Sequence, residues 1–371
     1  MSDAVDLLAR LVGIDSVNPG LVPGAAGEGA IVAHLRERLD RAGFATYVVM
    51  AGDRAPDRPH DRPHDRPSLV AAGPVVDGPT VVLNGHLDTV GVSGMAAPFE
   101  PRIDGDRLLG RGAADMKGGV AAMVVAAERL ATAGSTVRPV LALVADEEDA
   151  SVGSEAVVAA LPGLGIRPDA CIIGEPTDNA LARTLRGFGV VRVRFAGRAA
   201  HSSQPELGVN AVTHLGRLLH AVDAHPELMA TVARGGTSAF VVPDSAECVV
   251  EQRVPPGVPA AGALDLVEAL LTPDLQATAE LVAHREAWRL DETGPAADLA
   301  ARLGEALGTG ATFDAPYWME APLWQAVCPT VVCGPSGGGL HAVDEWVDLR
   351  QVEAYADALV AALGGWSPRA D

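Results

Sequence analysis

The chain has 371 residues, is 48% hydrophobic and carries 28 basic against 48 acidic side chains, a formal charge of −20 at pH 7. That length and apolar content suffice for a large core and two domains. The negative excess repels phosphates and excludes nucleic acid as a partner, but it leaves room for an anionic substrate beside bound cations, which reverse the local field.

The start, Met1 to Asp6, has neither a basic region nor an apolar core, so no secretory signal is expected. From about Asp3 to Gly43 the pattern predicts two helices, with Ile31, Leu35 and Leu39 on one side of the second. Asp57 to Pro67 repeats Asp-Arg-Pro-His imperfectly. Proline and charge at that density build no core, which predicts an exposed, mobile loop with His60 and His64 solvated rather than ligating. The Ala/Val-rich stretch Gly119 to Ala133 is broken by Glu128 and Arg129 and is too short for a bilayer, so it reads as a buried helix. Cys171, Cys248, Cys328 and Cys333 form no close pair, and buried free thiols in a reducing, cytoplasmic setting are expected. Lys117 is the single lysine.

Four hydrophobic runs each end in an acid or a histidine. Thr80 to Asn84 precedes Gly85-His86-Leu87-Asp88, Val140 to Ala145 precedes Asp146-Glu147-Glu148, Ala170 to Gly174 precedes Glu175, and Thr330 to Gly334 precedes the loop of His341. A fifth acid, Asp115, lies in Arg111-Gly112-Ala113-Ala114-Asp115-Met116-Lys117-Gly118-Gly119. In open α/β sheets ligands gather at the carboxyl ends of parallel strands, so these residues can converge although they are distant in sequence. Taken singly, each reads as an ordinary loop residue; taken together, they form the pattern of a metal site. Two imidazoles with several carboxylates and no thiolate suit zinc, cobalt or manganese. Five ligands exceed the needs of one catalytic zinc, so two ions sharing a carboxylate fit better, with Asp115 as the natural bridge. Of Glu147 and Glu148, one can bind metal while the other serves as general base.

Gly85-His86-Leu87-Asp88-Thr89-Val90, Gly110 to Gly119, Asp146-Glu147-Glu148 and Gly174-Glu175-Pro176-Thr177 resemble successive signatures of the di-zinc metallopeptidase and deacylase family. That family includes acetylornithine deacetylase, succinyl-diaminopimelate desuccinylase, aminoacylase and glutamate carboxypeptidase, and the resemblance spans nearly the whole chain. It implies His86 and Glu175 on one metal, Glu148 and His341 on the other, and Asp115 bridging. It further implies Asp88 hydrogen-bonded to the far nitrogen of His86, and Glu147 as general base.

The expected fold is α/β. A metal-binding catalytic domain, residues 1–180 and 288–371, has a mixed, largely parallel sheet covered by helices. An inserted α+β module at 181–287 reads as strand (Gly189 to Phe195), helix (Val209 to Ala224), strand (Ala246 to Arg253) and helix (Leu264 to Leu271). The catalytic fold resumes near Trp288, with a further helix at Leu299 to Leu307. In the resembling family such an insertion is the lid and dimerisation domain, which implies a homodimer. Ala200 to Pro205 with Gly208 to Ala211 resembles the segment whose histidine crosses the dimer interface to stabilise the oxyanion, which assigns that task to His201. Arg253 matches a position that binds the substrate carboxylate, a task suited to a guanidinium fork.

There are departures from the family pattern. Phe240 stands where an asparagine usually precedes the valine-proline, and Gly334 to Leu340 is richer in glycine than usual. Glu320 to Gln325, Cys328 to Val332 and Asp344-Glu345 look most like the acetylornithine deacetylase branch. The resemblance therefore implies an N-acyl amino acid deacylase with a place in arginine biosynthesis, ahead of a desuccinylase and a di- or aminopeptidase. A catalytically silent binding protein is the reading from another class, and the retained Glu147 counts against it.

Overall fold

The computed structural model describes residues 2–51 and 66–368. The chain divides into two compact units: Met1–Arg183, Leu290–Phe313 and Met319–Asp371 form one, Thr184–Arg289 and Asp314–Trp318 the other. In chain order the first unit supplies α1 (Asp3–Val12), α2 (Gly29–Arg41), β1 (Ala45–Ala51), β2 (Arg66–Ala72), β3 (Thr80–His86), α3 (Gly118–Thr132), β4 (Arg138–Val144), α4 (Val152–Ala160) and β5 (Ala170–Ile173). The second supplies β6 (Gly187–Ala196), α5 (Ala211–Asp223), β7 (Leu228–Gly235), β8 (Ser245–Val254), α6 (Ala263–Leu270) and β9 (Ala277–Arg285). Then α7 (Gly294–Ala306), β10 (Thr330–Val332) and α8 (Leu349–Leu363) complete the first.

Among the described residues the first unit holds a six-stranded sheet in the order β1-β2-β4-β3-β5-β10. The pairs β4/β3, β3/β5 and β5/β10 are parallel, while β1/β2 and β2/β4 are antiparallel. The sheet is therefore mixed and largely parallel, as expected. Strands buried on both faces must be apolar throughout, which is why β3, β4 and β5 read as unbroken runs rather than alternating ones. Helix α3 is buried nearly all round and packs on α1, α8 and β4. Its first turn approaches the sheet very closely, because a Cβ on Gly119 would stand 2.1 Å from the carbonyl oxygen of Gly174. Only glycine permits that approach, and it brings the Asp115 loop to the carboxyl end of β5.

Sheet β7-β8-β6-β9 of the second unit is antiparallel throughout, with α5 and α6 on one face over Val191, Val193, Cys248 and Val250. The strand-helix-strand-helix reading of this segment omits β7 and β9. Strand β7 is exposed along seven of its eight residues, and the register of β9 shifts between Leu281 and Ala283, so neither shows the period-two alternation that marks a strand.

The repeat at Asp57 to Pro67 also needs a correction. Arg66 and Pro67 do not lie in an exposed loop: they open β2, Arg66 pairs with Ala51, and its side chain is 7% exposed. The earlier residues of the repeat, with His60 and His64, lie outside the described residues. Among the described residues no helix is long and apolar enough to cross a membrane.

Candidate metal centre

His86 is the last residue of β3 and is buried between β4 and β5. Its Nδ1 lies 3.0 Å from the main-chain carbonyl of Asp88, whereas the Asp88 carboxylate stands at 3.7 Å. The partner of the far nitrogen is thus the peptide oxygen of Asp88 rather than its side chain. A carbonyl only accepts, so Nδ1 carries the proton and Nε2 is left as a ligand atom. The Asp88 carboxylate has another task, accepting the N–H of Glu147 at 3.1 Å and that of Glu148 at 3.2 Å. It ties the turn after β4 to the loop after β3.

Asp115 lies in the irregular turn before α3 and precedes a cis peptide to Met116. Its Oδ1 is 3.1 Å from Nε2 of His86, and its Oδ2 is 3.2 Å from Nε2 of His341. The same nitrogen of His341 is 3.1 Å from Oε2 of Glu148. Donor atoms of His86, Asp115 and Glu148 lie within 4.8 Å of one another, as do those of His86, Glu147 and Glu175. The structure therefore brings Glu147 and all five expected ligands to one place: His86, Glu147, Glu148 and Glu175 at or just past the carboxyl ends of strands, Asp115 in its turn, and His341 in the loop after β10.

Electrostatics show what this cluster lacks. Burial, with Glu175 next, holds the Glu147 carboxyl well above the ordinary range, and burial with the Asp115 charge raises Glu148. Glu175 is pushed up to about 8, by burial first and then by Asp115, Glu320 and Glu148 against the pull of His86. Burial opposes a charged His86, but Asp115, Glu175 and Glu147 outweigh it and lift the imidazole well above its usual value. Hydrogen bonds to Asp115 and Glu148 raise His341 to about 10. Asp115, between two imidazoles, is held below the ordinary carboxylate range in spite of its burial. Oε1 of Glu148 is buried without a hydrogen-bond partner. Crowded carboxylates short of positive charge, with an orphaned oxygen among them, fit a cation site. The four cysteines are free and buried, so this is a nitrogen and oxygen donor set.

Sequence reasoning missed the residues behind the Asp115 loop. Glu345, 1% exposed, accepts from the N–H groups of Gly112 at 2.9 Å, Ala114 at 2.9 Å and Asp115 at 3.1 Å, and from Nη1 of Arg111 at 2.7 Å. Lys117, fully buried with its amine lowered to about 7 by desolvation, donates to the carbonyl of Ile14 at 2.9 Å. Nothing in the spacing of Arg111 and Glu345, which are 234 residues apart, announces the pair.

His201 and Arg253 belong to the second unit. The N–H of Ser203 donates to Nδ1 of the exposed His201 ring at 3.2 Å and its Oγ lies 2.8 Å from the same nitrogen, which leaves the proton of the neutral ring on Nε2. Arg253 is half exposed, pairs through Nε with Glu251, and has its Cζ 5.5 Å from the centre of the Phe188 ring. Phe240 is 72% exposed.

A buried and an exposed imidazole gathered with carboxylates beyond the strand ends define the class, a metal-dependent hydrolase. Residues 82–364 match peptidase family M20/M25/M40, and the chain belongs to that family. It is 29% identical to succinyl-diaminopimelate desuccinylase of Rhizorhabdus wittichii over 96% of both chains. It is 29% identical to N-acetyl-L-citrulline deacetylase of Xanthomonas campestris over 98% of both, and 30% identical to acetylornithine deacetylase of Proteus mirabilis over 74% of this chain and 76% of that one. Among solved structures, a tripeptidase of Staphylococcus aureus superposes with a TM-score of 0.78 at 16% identity, covering 98% of this chain and 97% of its own. A dinuclear metal binding peptidase of Bacillus subtilis does so with a TM-score of 0.70 at 15% identity over 97% of each chain. The family resemblance in the sequence is thus borne out, and the protein is a hydrolase of amide bonds.

Proposed function

We propose that the protein cleaves the amide bond of an N-acyl amino acid of the N-acetylornithine kind. Two divalent ions, zinc in the first place and cobalt or manganese as the other ions suited to these donors, would be held by His86, Asp115, Glu148, Glu175 and His341. The observation that carries this reading is the Asp115 carboxylate, which turns one oxygen to His86 and the other to His341. A carboxylate so placed suits a bridge, with His86 and Glu175 on one side and Glu148 and His341 on the other.

When bound, such a pair lowers the pKa of water and polarises the scissile carbonyl. The chain's own groups do the rest. Glu147, raised in pKa and tied at its N–H to Asp88, takes a proton from the attacking water and passes it to the leaving amine. The carbonyl of Asp88 keeps the proton of His86 on Nδ1. His201 donates to the developing oxyanion of the partner protomer's site in a homodimer, and Arg253 binds the substrate carboxylate. On this reading the protein serves amino-acid metabolism in the cytoplasm, and arginine biosynthesis if the amino acid is ornithine.

A desuccinylase is the second reading, favoured by the relative of that name that matches 96% of the chain. The experiment is to assay metal content together with acetate release from a panel of N-acetyl amino acids, with N-succinyl-diaminopimelate and dipeptides alongside. Acetate release led by N-acetylornithine or N-acetylcitrulline supports the first reading, succinate release the second. Two-metal protein that cleaves only dipeptides overturns both.

A further inference from the structure

Behind the turn that carries Glu147 and Glu148 lies a buried polar network that ends on Asp88, and no step of the proposed reaction uses its other members, Arg66, Glu28, Asp146 and Asn18. Arg66 donates through Nε to Oε2 of Glu28 at 3.0 Å and through Nη2 to the other oxygen of that carboxylate. Its remaining nitrogen, Nη1, donates to Oδ1 of Asp146 at 2.6 Å. That oxygen also accepts from Nδ2 of Asn18 at 3.2 Å, and Nδ2 donates in turn to Oδ2 of Asp88 at 2.7 Å. The N–H of Gly20 donates to Oδ1 of Asn18 at 2.7 Å, which fixes the amide with its NH₂ toward the two acids. The Asp88 carboxylate then holds the N–H groups of Glu147 and Glu148.

We propose that Arg66 is a positioning residue for the hydrolysis: clamped by Glu28, it fixes Asp146 and, through Asn18 and Asp88, sets the direction in which Glu147 and Glu148 point. Three features support this. The side chains of Arg66, Glu28 and Asp146 are 7%, 0% and 2% exposed, so their contacts are not loosened by water. Asp146 stands at φ 68°, a region that non-glycine residues rarely occupy, and the residue after it is the proposed general base. The N–H groups of Ala150 and Ser151 hold the main-chain carbonyl of Asp146, and Arg66 and Asn18 hold its carboxylate. Finally, two carboxylates, Glu28 and Asp146, share one guanidinium, and Asp88 joins them through the Asn18 amide. A planar fork can hold Glu28 at two points and still reach Asp146, whereas an ammonium cannot reproduce that geometry.

The inference rests on the amide-hydrolase reading, and the test separates the two. Arg66→Lys keeps the charge but loses the fork. Arg66→Met with Glu28→Leu removes both charges and restores a neutral, packed pair, which covers the case in which Arg66→Lys fails to fold. Both variants are compared with the wild type as metal-loaded protein for kcat, KM, metal content and melting temperature. Groups that orient such ligands typically cost about 10–100-fold when changed, so kcat is expected to fall by that order, with KM within about two-fold. The drop persists in the double variant even where its melting temperature returns to normal. A double variant with wild-type kcat would reduce Arg66 to a fold-stabilising residue and overturn the proposal. Absence of amide hydrolysis in the wild type would instead sink the reading on which it rests.

Discussion

The main-chain N–H of Asp115 donates to Oε1 of Glu345 at 3.1 Å. Three positions of the turn, Gly112, Ala114 and Asp115, are thereby tied to one carboxylate that Arg111 also holds. The proposed bridging ligand therefore starts from a fixed backbone. Glu345→Ala leaves Arg111 buried without its ionic partner, and breaking a buried pair costs about 3–5 kcal/mol. Denaturant unfolding of the metal-free variant should show a loss of that size, and the loaded variant should release its metal to a chelator faster. Wild-type stability in that titration would rule out Glu345 as the anchor of the loop.

Glu147 is placed to move a proton without holding a metal, which separates it from its neighbour Glu148. Glu147→Gln should lower turnover by about 10²–10⁴-fold with both metals retained. Asp115→Ala should lose metal and turnover together. If Glu147→Gln turns over near the wild-type rate, the base is Asp146 or Glu148 instead.

The strands that end in the site were legible because strands buried on both faces are apolar throughout, so a functional residue marks the end of a run: His86 closing β3, Glu175 just past β5. Asp115 was legible through its glycines, which the close approach of Gly119 to Gly174 demands. The supporting shell was not. Glu345 reaches Asp115 across 230 residues and Arg66 reaches Asp146 across 80, and side-chain pairings of that range leave no periodicity. Arg66 was also hidden by its neighbours, since a proline-rich charged repeat reads as loop up to its last residue. Strand β7 was missed because an exposed edge strand need not alternate.

Metal binding to this site should release protons. In the metal-free chain Glu175 titrates near 8 rather than 4.5 and His341 near 10 rather than 6.5. At pH 7 both groups hold protons that a metal displaces. The sign for folding follows from the same shifts. The folded metal-free chain binds more protons than the unfolded one between about pH 4.5 and 8 through Glu175, and between about 6.5 and 10 through His341. Its stability therefore falls as pH rises across both windows, while metal affinity rises. Calorimetric metal titration in two buffers of different ionisation heat should show at least one proton released per chain at pH 7. Equal heats in the two buffers would contradict it.

The last prediction concerns His201, whose exposed ring presents an Nε2–H and lies in the unit that holds none of the proposed metal ligands. If it serves the partner's site, His201→Ala should lower kcat by about 10²–10³-fold, the usual loss for one oxyanion donor, with metal content unchanged. Mixing His201→Ala chains with Glu147→Gln chains tests the crossing directly. In a mixed dimer the site of the His201→Ala chain has its own Glu147 and receives His201 from the partner, so it is complete. The other site lacks both groups. Activity should therefore reappear on mixing two nearly inactive proteins, in proportion to the mixed dimer formed. Subunit exchange shown by mass without any recovery would mean that His201 acts within its own chain or takes no part.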